Sequence, residues 1–211
     1  IKKKTGLSLA TISKYLNGGN VLPENRIKIE AAIKELNYEV NEIARGLVTN
    51  RTKTVGVIVY SIESLFNGTL LRYIGSELRK AGYGLLICDS CNDEKIEADN
   101  VRFLVTKKVD GIIIIPVSRK PDCLIPAKNA GIPIVFMDRS FQDAEYDCVK
   151  IDNRMSAFRA VNLLIQNNHR KIAIICADEK VCTGYERYKG YVDALETFGI
   201  EVRDEYIKSG I

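Results

Sequence analysis

The residues best suited to chemistry in this 211-residue sequence are six cysteines, one histidine, and a set of acids and one arginine placed at the ends of apolar runs. Cys88-Asp-Ser-Cys91 has the spacing of a redox pair or of half a zinc site. A structural zinc needs four ligands, and neither a second Cys-x-x-Cys nor a paired histidine accompanies it, so no metal is expected. Cys88 and Cys176 each close an apolar run (LLIC, AIIC), where a thiol behaves as a small hydrophobe. All six, with Cys123, Cys148 and Cys182, read as buried or incidental thiols of a reducing compartment. His169, the sole histidine, sits in an Asn-Asn-His-Arg turn without a positioned partner. No Gly-x-Ser-x-Gly elbow, no Gly-x-Gly-x-x-Gly and no phosphate-binding Gly-x-x-x-x-Gly-Lys-[Ser/Thr] occurs, so neither a catalytic residue nor a cofactor is assigned.

The acids and the arginine are more informative because of the elements that carry them. Apolar runs at 54–60, 83–88, 109–117, 132–138 and 171–177 are rich in Ile and Val and do not alternate with polar residues. That pattern predicts parallel strands buried on both faces. Between them, Leu70, Leu71, Ile74, Leu78 and Ala81 form one helical stripe, and Ala157, Val161, Leu164 and Ile165 another. Alternation of strand and helix predicts an α/β fold with a doubly wound parallel sheet and right-handed crossovers. Glycines at 82 and 131 fall just past helices, where a left-handed cap is wanted. Such sheets bind ligands at the carboxyl ends of their strands. Those ends read Ser61-Ile62-Glu63, Asp89-Ser90, Val117-Ser118, Asp138-Arg139 and Asp152-Asn153, the polar rim of a binder and not of a catalyst.

Hydrophobic content of 46% and charged content of 27% are those of an ordinary soluble protein, and no apolar run is long enough to cross a membrane. The opening Ile-Lys-Lys-Lys lacks a secretory apolar run, so the cytoplasm is the expected compartment. The net charge of +4 is uneven. Residues 1–53 carry ten Lys/Arg against five Asp/Glu, and the other 158 carry 21 against 22. A basic head on a neutral body suits a polyanion-binding module, although a merely soluble helical head fits the charge as well.

Within that head, Ser8 is a good N-cap for a helix from about Leu9 to Leu16. Ile12, Tyr15 and Leu16 share the packing face, which leaves Ala10, Ser13, Lys14 and Asn17 on the other. A glycine turn, Thr5-Gly6-Leu7-Ser8, precedes it, and Ile29, Ala32, Ile33 and Leu36 stripe a supporting helix. Two short helices around a glycine turn with a third beneath predict a helix-turn-helix, whose second helix enters the major groove. A small helical cap on the α/β domain is the competing reading, and it leaves the basic charge unexplained.

The stretch GLSLATISKYLNGG, followed by IEAAIKELNYEVNEIARGL, resembles the DNA-binding head and hinge of the lactose-repressor (LacI/GalR) family of bacterial transcription regulators. TKTVGVIVYSIES, GYGLLICDS, KKVDGIIIIP, GIPIVFMDR, VKIDN, NHRKIAII and YERYKGY continue the likeness, in order, through that family's periplasmic-binding-protein-like (type I) core. The resemblance implies a head over 1–40, a hinge and linker over 41–53, an effector-binding N-subdomain over 54–152 and the start of a C-subdomain over 153–211. It also implies that full-length members extend further at both ends. The expected protein is a homodimeric repressor on a pseudo-palindromic operator, controlled by a small-molecule effector, expected to be a sugar or sugar derivative. A sugar-binding receptor without DNA function is the alternative.

Carried over by position, the resemblance makes Leu9, Ala10 and Lys14 the base-reading residues. Lys14 suits guanine, or a plain phosphate contact, and Leu9 and Ala10 offer apolar contacts such as a thymine methyl. Ser8 caps, and Thr11, Ser13 and Asn17 suit phosphate. In the hinge, Arg45 precedes Leu47, the leucine that relatives wedge into the minor groove. Val40 stands in place of a usual proline, and Gly46 costs a helix about 1 kcal/mol relative to alanine. Both predict a hinge that depends on DNA for its order. For the effector the resemblance points to Phe66, Arg139, Asp152 and Arg187 in the cleft, with solvated strand ends as the plainer reading of Arg139 and Asp152. Ser64-Leu65-Phe66-Asn67 departs from the family's common run and leaves the ligand class open.

Overall fold

Gly6 turns the chain in the left-handed conformation (φ 69°) between two short helices, α1 (Lys2–Thr5) and α2 (Leu9–Leu16). In this computed structural model, which describes residues 1–38, 46, 51–118, 120–139, 146–176 and 182–209, the chain divides into two compact units, Ile1–Thr52 and Lys53–Ile211. In the first, α3 (Pro23–Glu35) starts on a proline whose missing N–H costs a first turn nothing. Ile12, Ile29 and Ala32 are buried. Tyr15 Oη and Arg26 Nε both donate to the Glu30 carboxylate, at 2.9 and 3.1 Å, bracing α2 on α3. Leu36, expected on the packing stripe of α3, is 49% exposed, because the helix ends at Glu35 and Leu36 is its C-cap.

The second unit is built on a wholly parallel sheet in the order β2-β1-β3-β4-β5. Its strands are β1 (Thr54–Val59), β2 (Gly84–Asp89), β3 (Gly111–Ile114), β4 (Ile134–Met137) and β5 (Asp147–Val149). The connecting helices are α4 (Leu65–Lys80), α5 (Glu94–Thr106) and α6 (Ile125–Asn129). Val57 and Val59 pack with Leu70, Leu71 and Ile74 on one face, while Ile58 packs with Val101, Leu104, Ile112 and Phe136 on the other. That alternation is the strand pleat at work under two helical layers. Gly56 is required where β1 passes α5: a Cβ there would lie 2.5 Å from Leu104 Cδ1.

A second sheet pairs β6 (Ile174–Cys176) with β7 (Ile207–Ser209), also in parallel. It carries α7 (Asn153–Gln166) and α8 (Cys182–Thr197), whose core holds Val161, Ile165, Tyr191, Ala194 and Leu195. The two helices cross backbone to backbone: a methyl on Gly190 would fall into the Arg154 carbonyl and 3.0 Å from Ala157 Cβ.

Three expectations need correction. The apolar runs are longer than the strands they contain, since the flanking residues lead into turns. Burial on both faces holds for β1 and not for β2 or β6, where Ile87 and Ile175 are 47% and 79% exposed. An edge strand and a two-stranded sheet lack neighbours enough to cover both faces. In α7 the packing residue is Phe158, and Leu164 is 42% exposed on the outer side. β5 has no apolar run to announce it, and all three of its residues are exposed.

Candidate functional site

The carboxyl ends of the strands carry the first candidate surface. Arg139 follows β4 and lies over the Tyr60 ring beyond β1, with Cζ 4.4 Å from the centroid. Its Nε is 3.8 Å from Asp138 and has no hydrogen-bond partner among the described residues, although it is buried. Tyr60 Oη is 3.1 Å from Ser64 Oγ, and Ser64 caps α4, the helix whose first turn exposes Phe66. Tyr60 and Ser64 thus link Arg139 to the start of α4, the helix turn on which Phe66 is exposed. Beside them, Asp89 at the end of β2 accepts the N–H groups of Ile62 (3.2 Å) and Cys91 (2.8 Å). Asn67 and Ser90 are fully buried. Asn67 Nδ2 donates to Ser61 O at 2.7 Å, yet Asn67 Oδ1 and Ser90 Oγ find no partner among the described residues. Orphaned polar atoms are costly in a dry interior, and three of them, Asn67 Oδ1, Ser90 Oγ and Arg139 Nε, lie near the strand exits.

Behind this rim sits a fully buried carboxylate. Glu97 of α5 accepts the N–H groups of Val117 (2.6 Å) and Ser118 (3.1 Å) and lies 3.6 Å from Cys123 Sγ. It staples the exit of β3 to the helix layer. Burial and the adjacent Glu97 carboxylate push the Cys123 thiol up to about 12, so it stays protonated and inert at neutral pH. Burial likewise raises Cys88. Cys88, Cys91, Cys123, Cys148 and Cys176 form no disulfide, and no group of three His, Cys, Asp or Glu among the described residues could hold a metal ion.

At the start of α7, Asp152 and Arg187 are linked, among the described residues, only through the neighbouring Asn153. Asp152 Oδ1 caps that helix by accepting the Met155 N–H at 2.8 Å, and Arg187 Nε donates to Oδ1 of the buried Asn153 at 2.8 Å. A groove of about 600 Å3 opens beside them, lined by Lys150, Asp152, Arg154, Tyr185, Glu186 and Lys189. Arg154 grips Asp193 through two bonds of 2.5 and 2.9 Å, which holds the Asp193 carboxyl below its usual range. Sequence reasoning singled out neither Tyr60, Asn67, Asn153 nor Glu97. Asn153 and Ser90 lay in strand-end pairs where only the charged neighbour drew notice, and nothing local distinguishes Glu97 from a solvated helix acid.

The second candidate surface is on α2. Ser8 Oγ accepts the Thr11 N–H at 3.1 Å and lies 2.9 Å from the Thr11 hydroxyl, so both hydroxyls serve the cap. Leu9 is 65% exposed, and Ala10, Ser13, Lys14 and Asn17 are exposed with it. Asn17 Nδ2 donates to Ser13 Oγ at 3.3 Å. Arg45, Leu47 and Val40 lie outside the described residues; Gly46 is helical, and a Cβ on it would stand 3.1 Å from the Arg51 carbonyl oxygen. No helix among the described residues is long and apolar enough to cross a membrane.

Comparison with known proteins places this geometry. Residues 52–211 match the model of the family described as periplasmic binding proteins and sugar binding domain of LacI family. A Paenibacillus polymyxa protein named "Probable HTH-type transcriptional regulator EndR" is 33% identical over 215 residues, covering 100% of this chain and 63% of that protein. Catabolite control protein A of Priestia megaterium is 32% identical over 212 residues, covering 100% of this chain and 64% of that protein. The crystal structure of the Lac repressor dimer bound to operator and the anti-inducer ONPF superposes with a TM-score of 0.83 at 21% identity, over 99% of this chain and 63% of that one, a likeness of fold. The chain therefore spans less than two thirds of the length of the relatives it matches. With three-quarters of its residues matched and a parallel sheet in the order 2-1-3-4-5, the chain belongs to the LacI family of periplasmic-binding-protein-like domains.

Proposed function

We propose that this chain is the DNA-binding and effector-binding part of a bacterial transcription regulator, a repressor in its basal role, acting in the cytoplasm as a homodimer. The observation that carries this reading is the exposed strip of α2. A helix capped by Ser8 and anchored by Ile12 keeps Leu9, Ala10, Ser13, Lys14 and Asn17 in solvent, on a basic unit. It lies in the major groove, where Lys14 meets a base edge or a phosphate, Leu9 and Ala10 touch base edges, and Thr11, Ser13 and Asn17 fix register against phosphate. Arg45 and Leu47 follow in the hinge, with Leu47 wedged into the minor groove of a pseudo-palindromic operator. Two of the relatives named above, the probable HTH-type transcriptional regulator EndR and catabolite control protein A, support the same reading.

The effector is a small polyhydroxylated molecule, a sugar or sugar derivative. Phe66 stacks on its ring face, Arg139, Asp152 and Arg187 bind hydroxyls, and Asn67 and Ser90 supply further polar partners. A solved relative described as the regulator CelR in complex with cellobiose, 26% identical with a TM-score of 0.67, supports this ligand class. Effector occupancy shifts the DNA-binding equilibrium by reciprocal coupling, and the protein acts as a binder and not as a catalyst. A salt titration of duplex binding tests the reading: the affinity of a regulator falls steeply with ionic strength, and a chain with flat, weak binding is a solute receptor instead. A thermal-shift screen of sugars, sugar phosphates and nucleobases tests the ligand class, since only a true effector raises the midpoint with concentration.

A further inference from the structure

The C-terminus of α2 closes in a Schellman motif built on two glycines. Asn17 is the C-cap, and Gly18 takes the left-handed conformation at φ 79°. The Gly18 N–H donates to Tyr15 O at 2.9 Å, and the Gly19 N–H donates to Lys14 O at 2.8 Å. In this motif the residue after the left-handed position usually contributes an apolar side chain that packs on the residue where Lys14 stands. Here that residue is Gly19, which has none. The Lys14 stem occupies the space: a Cβ on Gly19 would lie 2.8 Å from Lys14 Cγ, 2.9 Å from its carbonyl oxygen and 3.4 Å from Cε. A four-carbon lysine stem is otherwise free to sweep a wide arc. Folding it over the cap confines the ammonium to one side of the helix end.

We infer that Gly19 is a positioning residue for Lys14: its missing side chain lets the Lys14 stem lie on the helix cap and so fixes where the ammonium meets DNA. This rests on the DNA-binding reading of the head. The prediction is that Gly19→Ala displaces the Lys14 stem and blurs the contact it makes, although no atom of residue 19 touches the duplex.

The experiment selects duplexes from a random-sequence pool with the full chain, and with Gly19→Ala, Lys14→Ala and the double variant, then measures affinity by anisotropy on the wild-type winner. Gly19→Ala is expected to weaken binding about fivefold, the lower end of what losing one base contact costs, and to relax preference at the same base position as Lys14→Ala. In the Lys14→Ala background it is expected to leave the base preference unchanged and to cost less affinity, since only the crowding against the Lys14 carbonyl oxygen remains. Equal fold-losses in both backgrounds make Gly19 a matter of helix-cap stability alone and overturn the inference, as does an unchanged Gly19→Ala. Thermal midpoints of all four proteins separate the coupling from unfolding. If the wild-type chain enriches no sequence and its binding is flat with salt, the DNA-binding reading itself falls. If it enriches one and the glycine variant matches it, only the positioning role falls.

Discussion

Replacing Glu97 probes the joint between the helix layer and the rim. The carboxylate is fully buried and accepts two backbone N–H groups, at Val117 and Ser118, which are themselves half-buried. Glu97→Gln keeps the volume and one accepting oxygen, but it turns an amide NH2 toward an N–H that then has no acceptor. Orphaning one such donor costs about 1–3 kcal/mol, and partial water access at residue 117 or 118 favours the lower half of that range. Glu97→Ala orphans both donors and adds a small cavity, for a total of about 3–4 kcal/mol. The chain has two units, so a single unfolding midpoint mixes them. Native-state hydrogen exchange at the Val117 and Ser118 amides isolates the effect, read beside the urea midpoint of the sheet unit. Both amides should lose protection in Glu97→Gln, and more in Glu97→Ala, while exchange in α2 and α3 stays as it was. Protection within 0.5 kcal/mol of the parent in both variants would refute the claim that this carboxylate holds the β3 exit.

Gly190→Ala should destabilise the α7–α8 pair by about 1–3 kcal/mol or more, because the methyl collides with the Arg154 backbone; thermal melting with near-UV circular dichroism checks it, and a neutral result refutes the close crossing. Under native alkylation with peptide mapping, the exposed Cys91 and Cys148 should react fast and Cys88 and Cys123 slowly until the chain is denatured. Cys123 also has a pH signature. Its folded pKa is raised, so the stabilisation is fully present below about 9, where both states keep the proton, and is lost as pH climbs toward 12; Cys123→Ala should lose less stability across that window. Gly46→Ala should tighten operator binding, by no more than about fivefold, since helix propensity worth about 1 kcal/mol is opposed by crowding against the Arg51 carbonyl; unchanged or weaker binding counts against hinge ordering as the limiting step.

Much of the framework is legible in residue order because it depends on local chemistry. Ser8, Ser64, Asp93 and Asp152 each cap the helix that follows, and Gly6, Gly82 and Gly131 each take positive φ where a turn demands it. The order of apolar runs likewise tracks the order of four of the five strands in the main sheet. What escapes is set by neighbours distant in sequence. β5 is a strand only because Met137 and its neighbours on β4 offer it hydrogen bonds, since Asp-Cys-Val has no periodicity of its own. Glu97 meets Val117 and Ser118 twenty residues away, and Arg139 meets Tyr60 from the far side of β3. Leu164 and Phe158 exchange roles because a stripe of helical period does not say which of two adjacent faces the partner helix covers.

The contact at Gly190 leaves no side-chain cushion between two helices, and it sits one turn from Arg187 on one of them and close to Asp152 and Asn153 on the other. A joint of bare backbone neither slides nor tilts without breaking. Carboxylate, amide and guanidinium are therefore mounted on a single stiff bracket, their mutual spacing settled before any visitor arrives. On the effector reading proposed above, a ligand has to match that spacing instead of reshaping it.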